Sequence, residues 1–418
     1  MTKQSLPYGL WQSPISPAML AGGIRLNDVQ WSADGEFLVW SQSQDGKTSL
    51  FAKLARDAAF DLSGELNPSG GVGYGGGDFF AGRQGAVICD RSGQLFFKSY
   101  GAGLARPITP AFGACASPVI TPDERFVIYV HTCENKDVLA IVPLDGGAWP
   151  KILQQGADFY MQPTVSPDGR RLAWVEWNHP NMPWDGARLL LARLDAEAGS
   201  LSELTLLDGD EKVPVFQPIF SPDGSSLAWL SNHGEWDQLK LLDLASGKVE
   251  TLTDERVLLP PAWVQGVRAL AWSADSRELF FLENQFARTS LHAISISGRE
   301  IRNVPLAPFT LIEQPCVSAK GEVALIAQSA AKPPSVLRIA GGEMEVVARS
   351  QSEVLPAAFL SQPKAIAWQS SDGVEVHGLY YPPANPDFEA EGAPPVIVYI
   401  HGGPTSQVFD AFNLEADF

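Results

Sequence analysis

The chain is short of basic residues, of cysteine and of long apolar runs, and each shortage excludes something. Thirty Lys and Arg stand against forty-eight Asp and Glu, a formal charge of −18 over 418 residues. A protein that grips phosphate backbones needs a basic face, and no run of Lys and Arg builds one here. Nucleic acid is therefore excluded as a partner, and the acidity reads as a solvated, self-repelling surface. No stretch approaches the roughly 20 consecutive apolar residues of a membrane crossing. The opening MTKQSLPYGLWQSPISPAML is broken by prolines where a secretory signal would carry an unbroken apolar core. Four cysteines, Cys89, Cys115, Cys133 and Cys316, lie far apart with no CxxC pair. They read as reduced, mostly buried thiols, and the chain as cytoplasmic. His131 and Cys133 could present two metal ligands from one strand face, but a structural site needs a second pair and none is near. Strand packing is the expectation there, with no metal and no cofactor.

What is present is a globular composition, 45% hydrophobic and 19% charged, and a recurring phrase. It runs VQWSADGEFLVWSQ from Val29, PVITPDERFVIYVH from Pro118 and PTVSPDGRRLAWVE from Pro163. It returns as PIFSPDGSSLAWLS from Pro218, LAWSADSRELFFLE from Leu270 and PCVSAKGEVALIAQ from Pro315. Its turn residue falls at Ser32, Thr121, Ser166, Ser221, Ser273 and Ser318, in steps of 89, 45, 55, 52 and 45. The first step is about twice the others. That places a degenerate copy in GGDFFAGRQGAVICDRSGQLFFKS from Gly76, with its turn at Ala81 and Gly82, and makes seven.

The phrase has a physical reason. Pro sets φ for the second turn position and Gly supplies the left-handed residue. Around Ser-Pro-Asp-Gly at 221–224, Pro218–Ser221 enters, and strands are expected at Ser226–Ser231, Gln238–Asp243 and Lys248–Leu252. Four strands in each unit of ~40–50 residues make a propeller blade. The expected fold class is an all-β, seven-bladed β-propeller over residues 26–350. Trp31, Trp40, Trp174, Trp229 and Trp272 recur in register with the repeat, so they are expected to pack between blades rather than form a stacking surface.

After residue 350 the pattern stops. Residues 351–363 carry two prolines and no turn phrase and read as a linker. KAIAWQS from Lys364 and VEVHGLYYP from Val374 are strand-like and joined by a Ser-Asp-Gly hairpin signal. PPVIVYIHGG from Pro394 is a continuous apolar run, the pattern of a strand buried on both faces, and it opens into a Gly-Gly turn. Residues 364–418 are thus expected to be the first strands of an α/β-hydrolase domain, in which such a turn supplies one oxyanion-hole N–H. The negative oxygen of an acyl-transfer intermediate must lie about 3 Å from preorganised donors. Only backbone without a side chain comes that close. Gly403 is the leading donor, Gly402 gives the turn its freedom, and His401 orients the loop without taking protons.

Two other stretches stand outside the repeat. NHPNMPWDG from Asn178 replaces a short connection inside its blade, and Asn178, His179 and Trp184 on it are candidate substrate contacts. The competing reading is a self-supporting loop held by Trp184 and by turns at Asn181 and Asp185. GVGYGGGDFF from Gly71 follows no strand-to-helix pattern, so it reads as close backbone packing near the axis or a domain interface rather than a phosphate cradle.

Propeller, linker, hairpin and HGGPTSQ, in this order, resemble the prolyl oligopeptidase family of serine peptidases, in particular its acylaminoacyl-peptidase and dipeptidyl-peptidase-like bacterial branch. YGLWQSPISPAML from Tyr8, GYGGGDFF from Gly73 and WNHPNMPWDGARL from Trp177 carry the resemblance too, so it spans nearly the whole chain. It implies that residues 1–25 pack on the hydrolase domain and that the propeller caps it, gating access for short peptides. It also implies a Ser on a GxSxG elbow, with His as base and Asp orienting it, releasing an acylaminoacyl residue or dipeptide through an acyl-enzyme.

No GxSxG occurs in the 418 residues; NPSGG at Asn67 and DRSGQ at Asp90 miss the spacing. In the family the elbow, the Asp and the His all follow the HGGP turn. The resemblance therefore implies roughly 200 or more further residues bearing them, and a chain that is inactive by itself. The strands from Lys364 onward, without their neighbours, are expected to bury their faces poorly. The alternative expectation is a non-enzymatic propeller, either a binding scaffold or a pseudo-enzyme.

Overall fold

The repeat phrase joins the first two strands of each blade, and its side chains close the turn. In the fifth blade the Ser221 hydroxyl donates to Asp223 Oδ1 (2.6 Å) and accepts from the Ser226 N–H (2.9 Å), while Gly224 sits at φ 71°. The same Ser/Thr-to-Asp contact recurs at Ser32–Asp34, Thr121–Asp123, Ser166–Asp168 and Ser273–Asp275. Ser and Asp thus hold by side chain what Pro and Gly prepare in the backbone.

The computed structural model describes residues 3–54, 57–253, 255–351, 355–403 and 405–417. They build a seven-bladed β-propeller of seven four-stranded antiparallel sheets, at 25–61, 79–107, 114–154, 159–208, 215–251, 270–303 and 311–349. Blade 2 is the degenerate copy, turning at Gly82, whose N–H donates to Gly85 O (2.9 Å). The core is a ring of apolar clusters between adjacent blades. Trp174 and Trp229 are fully buried in it, and their indole N–H groups donate to Glu176 Oε2 (2.9 Å) and Asp208 Oδ2 (2.6 Å). These tryptophans pack between blades, as their register implied.

Every blade takes its four strands from one stretch of chain, so no shared strand closes the ring. Blade 1 meets blade 7 by apolar packing of Leu26, Val29, Leu38 and Trp40 on Ala324, Ile326 and Val336. The rim pairs Lys53–Glu345 (2.6 Å) and Lys320–Glu36 (2.8 Å) span the same seam, where exposed pairs add little.

A second device holds the ring together. Residues 265–269, leading into blade 6, reach five other blades and the loop that enters blade 2. Gln265 takes the Ser117 hydroxyl of blade 3 on Oε1 (2.9 Å) and donates from Nε2 to Tyr160 O of blade 4 (2.8 Å). Its own N–H donates to Gly75 O in the loop entering blade 2 (2.8 Å). Gln162 of blade 4 donates to Val267 O (3.0 Å), and Gln217 of blade 5 accepts from the Ala269 N–H (2.6 Å). Gln314 of blade 7 accepts from the Arg268 N–H (2.8 Å), and the Arg268 guanidinium donates to Asp28 Oδ1 (2.5 Å) and Val29 O (2.6 Å) of blade 1.

The partners occupy one repeated position. Ser117, Gln162, Gln217 and Gln314 each stand four residues before the turn Ser or Thr, at a bulge with φ between 47° and 55°. Asp28 holds the matching place before Ser32. A polar side chain there points inward to the hub, and the bulge aims it.

The glycines of 70–77 permit the hub to close. A Cβ on Gly76 would lie 2.3 Å from Gln265 O, and one on Gly77 would lie 2.6 Å from Ser117 Oγ. This is the close backbone packing expected of that stretch.

The segment after blade 7 is less embedded. Lys364–Gln369 and Glu375–Tyr380 form the expected hairpin, whose face is largely exposed at Ile366, Trp368 and Tyr380. Phe388–Glu389 pairs in parallel with Gln4–Ser5, and Trp11 stacks on Phe388 at 6.5 Å, so the N-terminal residues lie on this segment. The expected third strand is not formed. Residues 393–400 pair with nothing, and Val396–Ile400 are 74–94% exposed. A strand buried on both faces needs neighbours that take its N–H and C=O groups, and among the described residues none lies beside it.

Candidate active site

A cavity of about 1260 Å³ opens at the inner ends of the blades, lined by the hub, by the glycine loop around Tyr74, and by Thr405–Gln407 and Phe409 of the C-terminal segment. That segment is pinned to blades 6 and 7. Asp410 receives Arg288 Nε on Oδ2 (2.8 Å), its N–H donates to Ala287 O (2.8 Å), and its carbonyl accepts from Thr310 Oγ1 (2.6 Å). Leu414, on the short helix Leu414–Asp417, joins Ile15 and Leu360 in a small apolar cluster.

The His-Gly-Gly turn is not itself among the cavity's lining residues; it precedes the lining stretch Thr405–Gln407. Gly403 has φ 71°, a conformation that favours glycine, whereas Gly402 is not left-handed. The backbone freedom assigned to Gly402 therefore falls on Gly403. A Cβ on Gly403 would face Trp263 Cζ2 at 3.9 Å, and Trp263 Nε1 donates to Thr405 O at 3.4 Å. Pro404 lies outside the described residues. Neither glycine N–H has a protein acceptor among the described residues, which leaves both open to a ligand. His401 is exposed, with Nδ1 3.5 Å from Gly402 O and no other partner among the described residues.

The long loop of blade 4 divides. Trp184 reaches the cavity and packs on Trp263 (ring centroids 4.4 Å), which also meets Tyr74 edge-on (5.7 Å). Asn178 and His179 do not line it. Asn178 Oδ1 accepts from the Asp158 N–H (2.8 Å), the His179 N–H donates to Asp158 Oδ2 (3.0 Å), and the imidazole sits edge-on against Phe159 (4.7 Å). Their groups are taken up in holding the loop to the entry of their own blade. Tyr74 was legible only as part of a glycine-rich stretch. Trp263 was missed; the available signal was a connection of 252–269, too long for a blade-to-blade link, with Pro-Pro-Ala-Trp inside it.

The one Ser–His–carboxylate grouping worth weighing lies elsewhere, in blade 6. Ser290 Oγ is 2.8 Å and Glu283 Oε2 is 3.2 Å from His292, but both reach the same nitrogen, Nε2. A relay needs the acid on one ring nitrogen and the hydroxyl on the other, so this group is structural. Burial holds the His292 pKa down against the pull of Glu283, which is itself shared with Arg256. His131 likewise packs in its strand, edge-on to Phe112 (4.8 Å).

Charge in the cavity is uneven. Asp28 is matched by Arg268, whereas Glu313 and Asp78 share Arg25. Glu313 is open to the cavity yet enclosed by protein, and that burial raises its pKa against the pull of Arg25 and Gln328. Asp78 Oδ1 accepts from the Gly70 N–H (2.8 Å), but burial, helped by Asp28, lifts its pKa from 3.8 to about 6. A carboxyl with a raised folded pKa contributes stability that is fully present below about pH 4 and is lost as pH rises through about 6. Asp78→Asn keeps the acceptor and removes the charge. It is expected to gain about 1–3 kcal/mol at pH 7, with the difference vanishing near pH 4 in denaturation midpoints. An unchanged gap at both pH values would refute this.

Comparison with known proteins completes the picture. A puromycin-hydrolysing peptidase of Mycobacterium tuberculosis superposes with a TM-score of 0.88 at 26% identity, over 98% of this chain and 67% of that one. This chain shares the fold of that peptidase. A prolyl endopeptidase shares the fold at a TM-score of 0.63 and 12% identity, over 85% of this chain and 54% of its own. Dipeptidyl-peptidase 5 of Porphyromonas gingivalis is 27% identical over 253 residues, 58% of this chain and 35% of that protein. No family model matches. Among the described residues no helix is long and apolar enough to cross a membrane.

Proposed function

We propose that this chain is the gating and substrate-facing part of a cytoplasmic serine-type peptidase that hydrolyses short peptides, releasing an acylaminoacyl residue or a dipeptide. The observation that carries it is a fold shared with peptidases, in which the Gly402–Gly403 turn, its N–H groups unpaired among the described residues, precedes the cavity-lining Thr405–Gln407. In the reaction a serine oxygen bonds the substrate carbonyl carbon, the π pair moves onto oxygen, and a histidine takes the serine proton. Gly403 N–H donates to that oxygen, His401 sets the turn, and Trp184 contacts the substrate. The amine leaves with the proton from histidine, and water then frees the acyl group. Residues 364–417 contribute the opening strands of the α/β-hydrolase domain.

The hub bears on access. With residues 265–269 tied to five other blades and to the loop entering blade 2, substrate enters at the open side of the cavity rather than along the propeller axis. The nucleophile, base and orienting acid are not among the 418 residues, so hydrolysis by this route needs them supplied from elsewhere. The expected result is no turnover of aminoacyl or N-acyl nitroanilides by this chain alone. The gene product that carries the chain is expected to cleave them and to be labelled at a serine by a fluorophosphonate. Turnover without labelling would remove the serine mechanism; neither would favour a binding scaffold.

A further inference from the structure

We infer that Cys89 and Cys115 form an oxidative modification site, a dithiol that hydrogen peroxide closes to a disulfide, fastening blade 2 to blade 3 behind the glycine loop of the cavity. The inference goes beyond the peptidase reading and does not depend on it. Cys89 ends the second strand of blade 2 (Gly85–Cys89), and Cys115 lies on the first strand of blade 3 (Ala114–Ile120). The two strands face each other across the seam between the blades. Both side chains are buried, in one apolar cluster with Val87, Leu95 and Tyr129. There the two thiols share a hydrogen bond. Cys316, by contrast, gives its thiol to Ala324 O (3.5 Å).

The backbone of the same two residues carries the glycine loop. Cys89 O accepts from the Ser69 N–H (2.8 Å) and Cys115 O from the Gly71 N–H (2.9 Å), while the Cys89 N–H donates to Asp78 O (2.8 Å). Ser69, Gly70 and Asp78 line the cavity, so the thiols lie one layer behind its wall. Burial pushes the Cys89 pKa well up, and the contact with Cys115 pushes it further. A thiol that keeps its proton is a poor nucleophile, so the pair stays reduced towards weak or bulky oxidants. Peroxide is small and strong, and local opening of the loop admits it.

The chemistry balances in two steps. One sulfur attacks a peroxide oxygen: the S–O bond forms, the O–O bond breaks, and the departing oxygen leaves as water with the thiol proton. The second sulfur attacks the sulfenic sulfur: the S–S bond forms, the S–O bond breaks, and the hydroxyl leaves as water with the second thiol proton. Two thiols thus lose two electrons, which peroxide takes. An S–S bond is about 2.05 Å long, shorter than any thiol contact. Closure therefore draws the two strands together and tightens the loop that hangs from them.

The test treats the folded 418-residue chain with hydrogen peroxide, then alkylates it, digests it without reductant and maps it by mass spectrometry. A peptide pair joined through Cys89 and Cys115 is expected, and dithiothreitol should separate it. Hydrogen exchange of residues 69–77 is expected to slow about 5-fold or more on oxidation and to recover on reduction. Cys115→Ala should abolish both effects; if that variant folds poorly, the parent chain before and after dithiothreitol carries the comparison. No linked pair, a link formed only in guanidinium, sulfinic acid at Cys89 without a link, or exchange unchanged by the link would each overturn the inference.

Discussion

Arg268→Ala is expected to lower the stability of the propeller by about 3–5 kcal/mol. The guanidinium is the hub's contact with blade 1, donating to Asp28 Oδ1 and Val29 O, and its side chain keeps only 20% of its surface open. Alanine would strand the Asp28 carboxylate, itself 6% exposed, with only Gln30 Nε2 (2.9 Å) to help it. A buried carboxylate without its cation is costly, and the Val29 carbonyl loses a donor besides. Asp28→Leu combined with Arg268→Met removes the stranded charge and should cost less than the single change. Guanidinium denaturation followed by tryptophan fluorescence measures both. A single variant within 1 kcal/mol of the parent, or a double variant worse than the single, would show that the hub does not hold the ring.

The second large effect belongs to a glycine. In Gly76→Ala the new methyl would lie 2.3 Å from Gln265 O and 3.1 Å from Val264 Cβ, at a φ of 82°. Left-handed strain costs about 1–3 kcal/mol. Displacing a backbone carbonyl in a packed interface costs about as much again. Together the loss should be about 3–5 kcal/mol, with the contact between Gly76 and Gln265 broken. Gly73→Ala is the control: its φ is 57°, but nothing lies within 4 Å, so it carries only the conformational part. Equal destabilisation by the two would mean that approach to the hub is irrelevant.

Both predictions concern features that the sequence held in plain view without naming their partners. The turn phrase was legible because its chemistry is local: Ser, Pro, Asp and Gly act within five residues, and the period follows from repeating them. The residue four places before the turn repeats almost as well, as Gln162, Gln217 and Gln314 show. Its partners are separated by as many as 240 residues, as for Arg268 and Asp28, so no local pattern reveals its purpose.

The candidate site shows the same division. Gly402 and Gly403 stand out in the sequence as candidates because an oxyanion donor demands backbone without a side chain. Which of them is left-handed was decided by the conformation of the turn. Trp184 was reachable from an over-long loop, but Asn178 and His179 on that loop proved to be committed to Asp158 and Phe159. The apolar run from Pro394 has the composition of a buried strand. Composition sets only a preference, and burial depends on whether neighbouring strands are there.

By itself, then, the sequence determined the number of blades and the turn that starts each one. Each of these follows from interactions a few residues long. Only the tertiary structure decided how an open ring is held shut and which aromatic rings line the cavity. Those outcomes depend on groups far apart in the chain meeting at the axis, where burial and unsatisfied polar atoms choose among partners.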